Sequence, residues 1–331
     1  MNGKNEEYSS LFNLIVYTHE ARYTEYFSKI VKLISTQFPC RIIFIKVHLQ
    51  SKESFLKVTK TTENSKNEQI FIDVSEGDIS KVYFLLLPLF IPDLPIYLLW
   101  GQDPTTENTL LPHLENFASR LIFDAETTEN LQRFSQSMLA RMESYQTQIV
   151  DMNWARISGW REVLAQIYDS PERFEQLVTA HSIELHYNDK ANDLLVHPET
   201  QAIYLQAWLA SRLKWKFVRG EKENGTQILY YQSLNKLRKF KLIPSTNSAF
   251  ESEEVLSMEV SGENGYECHI QHMTPSQVKV QASNQFQCEL PFLLYMPTLQ
   301  SARSFMQEIF FQKTSSQYKQ LLEMIQLVKW S

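Results

Sequence analysis

Residues 12–47 read FNLIVYTHEARYTEYFSKIVKLISTQFPCRIIFIKV, and this stretch decides the fold. It begins with a short apolar run, FNLIVYT, and ends with another, RIIFIKV. Between the two runs, apolar residues recur at helical spacing, at Tyr23, Phe27, Ile30, Val31 and Ile34. Strand, helix and strand in this order predict a βαβ unit with parallel strands.

The same alternation continues towards residue 142. Apolar or β-branched runs predict further strands at 54–58, 69–74, 95–100 and 120–124. Helical patterns lie between these runs, from Asp78 to the first proline, over 110–117 and over 127–142. We therefore predict a Rossmann-like α/β domain over residues 1–148, with a mainly parallel sheet covered by helices.

From residue 149 the pattern changes. Helices are predicted over 152–168, 171–180 and 199–213, with the strand SIELHY between the last two. Short strand candidates follow at close intervals: KWKFV, TQILYY, RKFKL, EEVLSMEV, YECHIQH, SQVKVQA and FQCEL. Their connections are too short for parallel crossovers, and two helices follow from residue 298. Residues 149–331 are thus predicted to form an α+β domain with antiparallel strands and C-terminal helices.

Composition excludes several classes of protein. Three cysteines in 331 residues show no disulfide framework, which indicates a reducing compartment. The first twenty residues lack the basic start and apolar core of a secretory signal. The most apolar stretch, 82–100, contains Pro88, Pro92, Asp93 and Pro95, which would break a membrane-spanning helix. We expect a cytoplasmic protein with no membrane partner.

The charge is distributed unevenly. Lys plus Arg number 32 and Asp plus Glu 38, so the net charge is −6, which gives no general reason to expect nucleic acid. Residues 212–241 carry nine basic and two acidic side chains, a net +7, which leaves −13 on the remainder. This segment is interpreted as a solvated hairpin face, with an acidic partner, a phosphate or a nucleic acid as the alternatives.

The eight glycines are scattered, whereas a phosphate-binding loop needs clustered glycines so that backbone amides can approach the anion. The first strand-to-helix turn is Thr18-His19-Glu20, which has no glycine and adds a carboxylate. A dinucleotide enzyme is therefore disfavoured and no cofactor is predicted. A sugar phosphate at the strand ends near 100–103 stays open, because such ligands do not require glycines.

Catalytic and metal motifs are missing from the sequence. His181 and His186 have an odd separation, which places them on opposite faces of a strand. The better metal candidate is Cys268, His269, His272 and Cys288, since Cys268 and His272 would share a strand face and Cys288 could lie on a neighbouring strand, but this spacing matches no zinc module. We predict ordinary thiols and no metal, with a Cys268–Cys288 redox pair as the alternative.

The helix predicted over 152–168 has two distinct faces. Its apolar stripe is made by residues that would face the core: Ile157, Trp160, Leu164 and Ile167. Trp154 and Arg161 lie seven residues apart on another face. That second face is expected to contact either the first domain or a partner, since Trp and Arg are enriched at interfaces.

Several stretches resemble the OpcA family of glucose-6-phosphate dehydrogenase assembly proteins. They occur in the family order: FPCRIIFI (38–45), LLLPLFIPDLPIYLLW (85–100), RLIFD (120–124), MNWARISGWREVLAQIYD (152–169) and YLQAWLASRLKW (204–215). The PDLP turn before a Trp-ending strand, combined with the WxR…WRE…LA helix, is specific. Phe38 stands where the family usually has histidine, and Leu99-Trp100 replaces a tryptophan pair. Little resemblance extends beyond residue 240.

The resemblance implies a protein that is not an enzyme, binds glucose-6-phosphate dehydrogenase and favours its active oligomer. It brings no catalytic, cofactor or metal residue. The predicted partner surface comprises Asp93, Trp100, Trp154, Arg156 and Arg161. The alternative function is that of a sugar-phosphate-binding sensor or enzyme that uses the strand ends of the first domain.

Overall fold

The computed structural model describes residues 10–19, 21–49, 51, 53–63, 67–144, 147–190, 197–251, 254–296 and 308–328. The chain forms two compact units. Unit 1 comprises Met1–Thr128 and Ala140–Met152, and unit 2 comprises Glu129–Leu139 and Asn153–Ser331. Both units are discontinuous in sequence, and the division at residue 148 stays a prediction.

Unit 1 contains a seven-stranded sheet, sheet A. Its strands are β1 (Asn13–Thr18), β2 (Arg41–His48), β3 (Leu56–Glu63), β4 (Asn67–Ser75), β5 (Ile96–Gly101), β6 (Arg120–Phe123) and β7 (Gln148–Asp151). The helices between them are α1 (Ala21–Gln37), α2 (Ile79–Leu86), α3 (Leu111–Glu115) and α4 (Leu131–Ser144). Helix α4 begins in unit 2 and ends in unit 1.

The strand order of sheet A is β3-β4-β2-β1-β5-β6-β7. Strand β3 runs antiparallel to β4, and every other neighbouring pair is parallel. If the six parallel strands are counted in chain order, they read 3-2-1-4-5-6, the order of a doubly wound Rossmann sheet. The order reverses between β1 and β5, so the predicted Rossmann-like domain is confirmed.

Burial explains the central position of β1. All six residues of β1 are buried, which is typical of a parallel strand covered on both faces. Its first residue, Asn13, is polar, and its amide stabilises the loop before β5: Nδ2 donates to the Ile91 carbonyl (3.1 Å), and Oδ1 accepts from the Ile91 amide (2.8 Å). A buried side-chain amide thus fixes the PDLP turn at the amino end of β5.

Unit 2 contains an eight-stranded sheet, sheet B. Its strands are β8 (Ser182–Asn188), β9 (Lys216–Glu223), β10 (Thr226–Ser233), β11 (Lys236–Ser245), β12 (Val255–Ser261), β13 (Glu267–Thr274), β14 (Gln277–Ser283) and β15 (Phe292–Tyr295). The remaining helices are α5 (Met152–Arg156), α6 (Ser158–Ile167), α7 (Pro171–Val178), α8 (Thr200–Arg212) and α9 (Ser316–Ile325).

The order of sheet B is β15-β14-β13-β12-β8-β11-β10-β9. The expectation that its strands are antiparallel holds for every neighbouring pair except β8 and β11, which are parallel. Helix α8 lies in the connection between these two strands, and a connection of that length allows a crossover. Every residue of α8 from Thr200 to Ala210 is buried, so this helix is the centre of the unit 2 core.

Two further predictions were wrong. The helix predicted over 152–168 is broken at Ile157, whose ψ of 4° separates α5 from α6. The strand predicted at FQCEL is a turn, because the Asn284 side chain accepts hydrogen bonds from the Phe286 and Gln287 amides that a strand would use for its ladder. The last strand is β15 instead. Of the predicted C-terminal helices, α9 is described, and residues 297–307 lie outside the described part.

Candidate functional site

The carboxyl end of sheet A at the junction of β1 and β5 is the position where doubly wound sheets bind their ligands. Here Tyr17 and Trp100 are direct partners in the β1–β5 register. Their rings are stacked, with centroids 3.9 Å apart and an interplanar angle of 8°. Both side chains are 1% exposed, so they fill this part of the molecule themselves.

Polar contacts hold the stack in place. The Asn108 Nδ2 group donates to the Tyr17 hydroxyl (3.0 Å), and Asn108 Oδ1 accepts from the Leu110 and Leu111 amides at the start of α3. Burial raises the pKa of Tyr17 to about 12, so its hydroxyl is neutral at pH 7. Asn108 therefore links the strand end to a helix start.

Gly101, the last residue of β5, serves packing. A Cβ atom at this position would lie 2.5 Å from Phe27 Cε2 and 2.7 Å from the Tyr17 carbonyl oxygen. Helix α1 therefore packs directly against the end of β5 through the Phe27 ring. A glycine that lets a ligand approach the backbone would face open space, whereas this glycine faces a side chain.

The same edge of sheet A is rich in carboxylates. Asp103 accepts from the Thr128 hydroxyl (2.7 Å), and Asp124 accepts from the Tyr26 hydroxyl (3.1 Å). Glu126 is buried nearby in sequence, at 1% exposure. Arg141, which donates to the Pro104 carbonyl here, is already ion-paired with Glu115 (2.6 Å). A phosphate at this edge would be repelled by the carboxylates. Glu20 of the predicted turn lies outside the described residues.

In unit 2, Trp154 and Arg161 are brought together. The Arg161 guanidinium lies over the Trp154 ring, 3.5 Å from its centroid, and forms an ion pair with Glu308 (2.9 Å). Trp154 also contacts Tyr318 of α9, with a centroid distance of 5.8 Å. Burial lowers the pKa of Arg161, and the Glu308 carboxylate opposes that shift. The second face of the predicted helix therefore packs inside unit 2.

Of the other predicted partner residues, Asp93 and Trp100 belong to unit 1 and Arg156 belongs to unit 2. Asp93 is exposed on the PDLP turn with a φ of 65°, at the amino end of β5, whereas Trp100 is buried near its carboxyl end. Arg156 ends α5 and is half-buried. Trp154 is 4% exposed. In this conformation Trp100 and Trp154 therefore support the surface residues from below and offer almost no area of their own to a partner. Partner binding by the five residues stays a prediction.

The basic segment 212–241 forms part of a groove in unit 2. The groove has a volume of about 830 Å³ and is bordered by α7, the end of α8, the start of β9 and the β10–β11 turn. Its lining residues, which we call the basic groove, are Phe174, Val178, Arg212, Leu213, Lys214, Lys216, Gln232, Ser233, Leu234 and Asn235. A second cavity of about 440 Å³ shares Phe174, Arg212 and Leu213 with it and reaches Arg161.

Among the described residues, the three cysteines form no disulfide bond with one another, and no group of three or more His, Cys, Asp or Glu side chains is placed to hold a metal ion. Cys268 and His272 are both buried on one face of β13, as predicted. Cys288 is not on a strand beside them: it forms only an isolated bridge with Ser283 and is exposed. The positions expected for a metal or redox group therefore do not converge.

The sequence reasoning missed three features of these sites. Tyr17 was read only as part of a buried strand, and Asn108 and Phe174 were not singled out. The β10–β11 turn carried a signal, because Leu234-Asn235 is a two-residue connection between strands, where residues with positive φ are required. Leucine rarely occupies such a turn position, so Leu234 could have been noticed in the sequence as an unusual residue.

Among the residues that the structure describes, no helix has both the length and the apolar composition needed to span a bilayer. In fold, the chain is similar to a 3-ketoreductase from Actinomadura kijaniata solved with TDP-benzene and NADP, with a TM-score of 0.56, 10% identity and coverage of 96% of this chain and 95% of that one. An oxidoreductase from Bacillus cereus gives a TM-score of 0.54 at 9% identity, with 96% and 94% covered. The protein is thus a Rossmann-like two-unit protein.

The NADP named for that ketoreductase does not fit the residues present here. The junction of β1 and β5 is filled by Tyr17 and Trp100, Phe27 lies against Gly101, and carboxylates occupy the edge. No step through a nicotinamide cofactor is derived for this chain.

Two family models match the chain. The glucose-6-phosphate dehydrogenase subunit N-terminal domain of the OpcA family matches residues 31–154, and the corresponding C-terminal domain matches 147–293. The chain belongs to the OpcA family of glucose-6-phosphate dehydrogenase assembly proteins. The resemblance seen in the sequence is confirmed, but the C-terminal match reaches residue 293, so the expectation of little resemblance beyond residue 240 was wrong.

Curated relatives agree with this assignment. A protein of Synechococcus elongatus, named OpcA and provisionally assigned to the OxPP cycle, is 28% identical over 206 residues, 58% of this chain and 44% of that protein. Its counterpart in Synechocystis sp. is 27% identical over 197 residues, 57% of this chain and 40% of that protein. The chain thus spans less than half the length of these relatives.

Proposed function

We propose that this chain binds glucose-6-phosphate dehydrogenase in the cytoplasm and favours the active oligomer of that enzyme, without catalysing a reaction itself. The observation that carries the proposal is the pair of family matches, which run from residue 31 to residue 293 and include strands of both sheets. Both models are described as dehydrogenase subunit domains.

The physical basis of such an activity is differential binding. A protein that binds the active oligomer more tightly than the inactive form shifts the equilibrium by the ratio of the two affinities. Each tenfold ratio corresponds to about 1.4 kcal/mol, and a shift from 1:99 to 99:1 needs a ratio of about 10⁴. No reacting side chain is required, and the Tyr17–Trp100 stack at the ligand position of sheet A is consistent with that.

The test is the specific activity of the same organism's glucose-6-phosphate dehydrogenase with and without equimolar protein. Light scattering on the same mixture measures the mass of the assembly. We expect a higher specific activity together with a joint complex of greater mass than the dehydrogenase alone. An equimolar amount of an unrelated acidic protein is the control for nonspecific protection of a dilute enzyme. A complex that leaves activity unchanged, or an absence of any complex, would refute the proposal.

A further inference from the structure

The basic groove combines free positive charge with exposed apolar side chains. Arg212, Lys214 and Lys216 are exposed, and none of them forms an ion pair with another residue in the described part of the chain. Elsewhere in the segment, Lys236 pairs with Glu263, Lys241 with Glu184 and Arg219 with Glu221, and Arg238 is buried. Three of the nine cations of the segment therefore line the groove without an ion pair in the described chain.

Apolar side chains stand beside these cations. Phe174 on α7 is 47% exposed, and Leu234 on the β10–β11 turn is 66% exposed. Val178 and Leu213 extend the apolar lining between the two elements. Isolated exposed apolar residues are ordinary, but a cluster rimmed by charges is typical of a protein interaction site.

Backbone strain is concentrated in the same place. Six non-glycine residues of the described chain have positive φ, and three of them line the groove: Lys214 (55°), Leu234 (50°) and Asn235 (58°). Asparagine tolerates this conformation, but Lys214 and Leu234 adopt it at a cost in free energy, and such strain is retained chiefly where function requires it. The strain and the exposed side chains thus mark one surface by independent observations.

A neighbouring hairpin in sheet B shows which residue types such a turn prefers. The β9–β10 turn is Asn224-Gly225, with φ values of 48° and 81°, the residue pair preferred for this turn type. The β10–β11 turn places Leu234 where the other hairpin has asparagine. Compared with asparagine, leucine is less favourable at positive φ, and its apolar side chain is less favourable when exposed to water. Its presence here indicates that the side chain binds something.

We infer that the basic groove is the docking surface for an acidic segment of a partner protein, which places carboxylates against Arg212, Lys214 and Lys216 and an apolar side chain against Phe174 and Leu234. Charge complementarity identifies the occupant: segment 212–241 has a net charge of +7, whereas the rest of the chain carries −13 and repels acidic surfaces. A nucleic acid is less suited, because Phe174 is the only aromatic side chain of the groove lining.

The inference rests on the proposed function to the extent that the dehydrogenase is taken as the partner. The experiment measures the Kd of the dehydrogenase for the wild type and for three variants. The first is the triple variant Arg212→Glu, Lys214→Glu and Lys216→Glu. The matched control is Lys32→Glu, Lys57→Glu and Lys313→Glu, which changes the net charge equally at exposed lysines outside the groove. The third variant is Leu234→Asn.

We expect the groove triple variant to bind at least about tenfold more weakly, because three exposed attractions become repulsions, and to lose the salt dependence of the wild type. The control triple variant should keep the wild-type Kd within about threefold. Leu234→Asn should bind more weakly while its Tm rises by about 2 °C or more, since asparagine suits positive φ. A structural role alone would not raise stability while it lowers affinity.

The outcomes separate the two proposals. If the wild type binds the dehydrogenase and both triple variants bind equally well, the groove inference is overturned and the proposed function stands. If the wild type does not bind the dehydrogenase, the proposed function fails, and a fluorescein-labelled peptide of alternating Glu and Leu becomes the probe. Binding of that peptide by the control but not by the groove variant supports the inference. Binding by neither, or tighter binding of an oligothymidylate, overturns it.

Discussion

Replacement of Arg161 by methionine is expected to destabilise unit 2 strongly. The guanidinium makes three contacts that methionine cannot replace: an ion pair with Glu308, stacking on the Trp154 ring, and a hydrogen bond donated to the Trp154 carbonyl (3.2 Å). Methionine keeps much of the aliphatic volume, so the variant isolates the loss of charge. The sequence analysis left open whether Trp154 and Arg161 contact the first domain or a partner, and their contacts inside unit 2 now predict a cost in stability when Arg161 is replaced.

The magnitude follows from burial. The side chains of Arg161 and Glu308 are 16% and 22% exposed, so the pair lies nearer to the buried than to the exposed limit. Removal of one member of a fully buried pair costs about 3–5 kcal/mol, and an exposed pair is worth about 0–1 kcal/mol. An intermediate loss of about 2 kcal/mol, together with about 1–2 kcal/mol for the desolvated cation–π contact, gives about 3–4 kcal/mol.

The assay is urea unfolding of the full chain, followed by tryptophan fluorescence, with thermal unfolding in parallel. For a unit of this size, 3–4 kcal/mol corresponds to a fall in Tm of about 8–12 °C. Lys313→Met is the matched control, because Lys313 is exposed and has no ion pair with a described residue. A double cycle with Glu308→Gln should show a coupling above about 0.5 kcal/mol. A loss below about 1 kcal/mol for Arg161→Met would refute the packing argument.

Three further predictions concern other parts of the molecule. Burial lowers the pKa of His272, so as the pH falls the unfolded chain takes up the proton before the folded chain does. The free energy of unfolding should therefore decrease below about pH 6.5, by at most about 1.4 kcal/mol per pH unit. Urea unfolding at pH 7.5 and 5.5 should show a smaller fall for His272→Phe than for the wild type, and equal falls would contradict this. Iodoacetamide should label Cys288 in the folded protein and spare Cys40 and Cys268, whose thiols are buried with raised pKa values. Mass spectrometry of peptides measures the labelling of each cysteine, and labelling of Cys40 or Cys268 as fast as that of Cys288 would contradict the prediction. Glucose 6-phosphate and 6-phosphogluconate should leave the Tm unchanged, because the edge of sheet A near Trp100 is filled and acidic; a rise of more than about 2 °C at millimolar ligand would favour the sugar-phosphate alternative.

Unit 1 was predictable because its strands are buried on both faces. FNLIVYT and RIIFIKV are continuous apolar runs, and a parallel sheet requires such runs. Strand β7 was missed because Gln148–Asp151 is short and precedes a helix start directly. The order of the strands was not predicted, because the alternation of strands and helices does not specify where the order reverses.

The site features depend on pairings that sequence spacing does not specify. Tyr17 and Trp100 stack because β1 and β5 are neighbours in one register, although 83 positions separate the residues (100 − 17). The spacing of Trp154 and Arg161 placed them on one face, but neither the break at Ile157 nor the stacking of the guanidinium on the Trp154 ring could be predicted from it. Charge was more informative: the basic run at 212–241 was visible in the sequence, but its apolar neighbour Phe174 comes from another helix.

The position of helix α4 limits where the chain can be divided into fragments for expression. Residues 129–139 belong to unit 2, where Gln132 Nε2 donates to the Gln326 carbonyl (2.7 Å), whereas residues 140–152 supply β7 to sheet A. A fragment that ends at residue 148 therefore lacks most of the edge strand β7. The other fragment, 149–331, lacks residues 129–139 of unit 2, which include Gln132 and its hydrogen bond next to the C-terminal helix α9. No single cut yields two self-sufficient fragments, so expression of either half alone should give insoluble or partly unfolded material, while co-expressed halves should recover the fold by complementation.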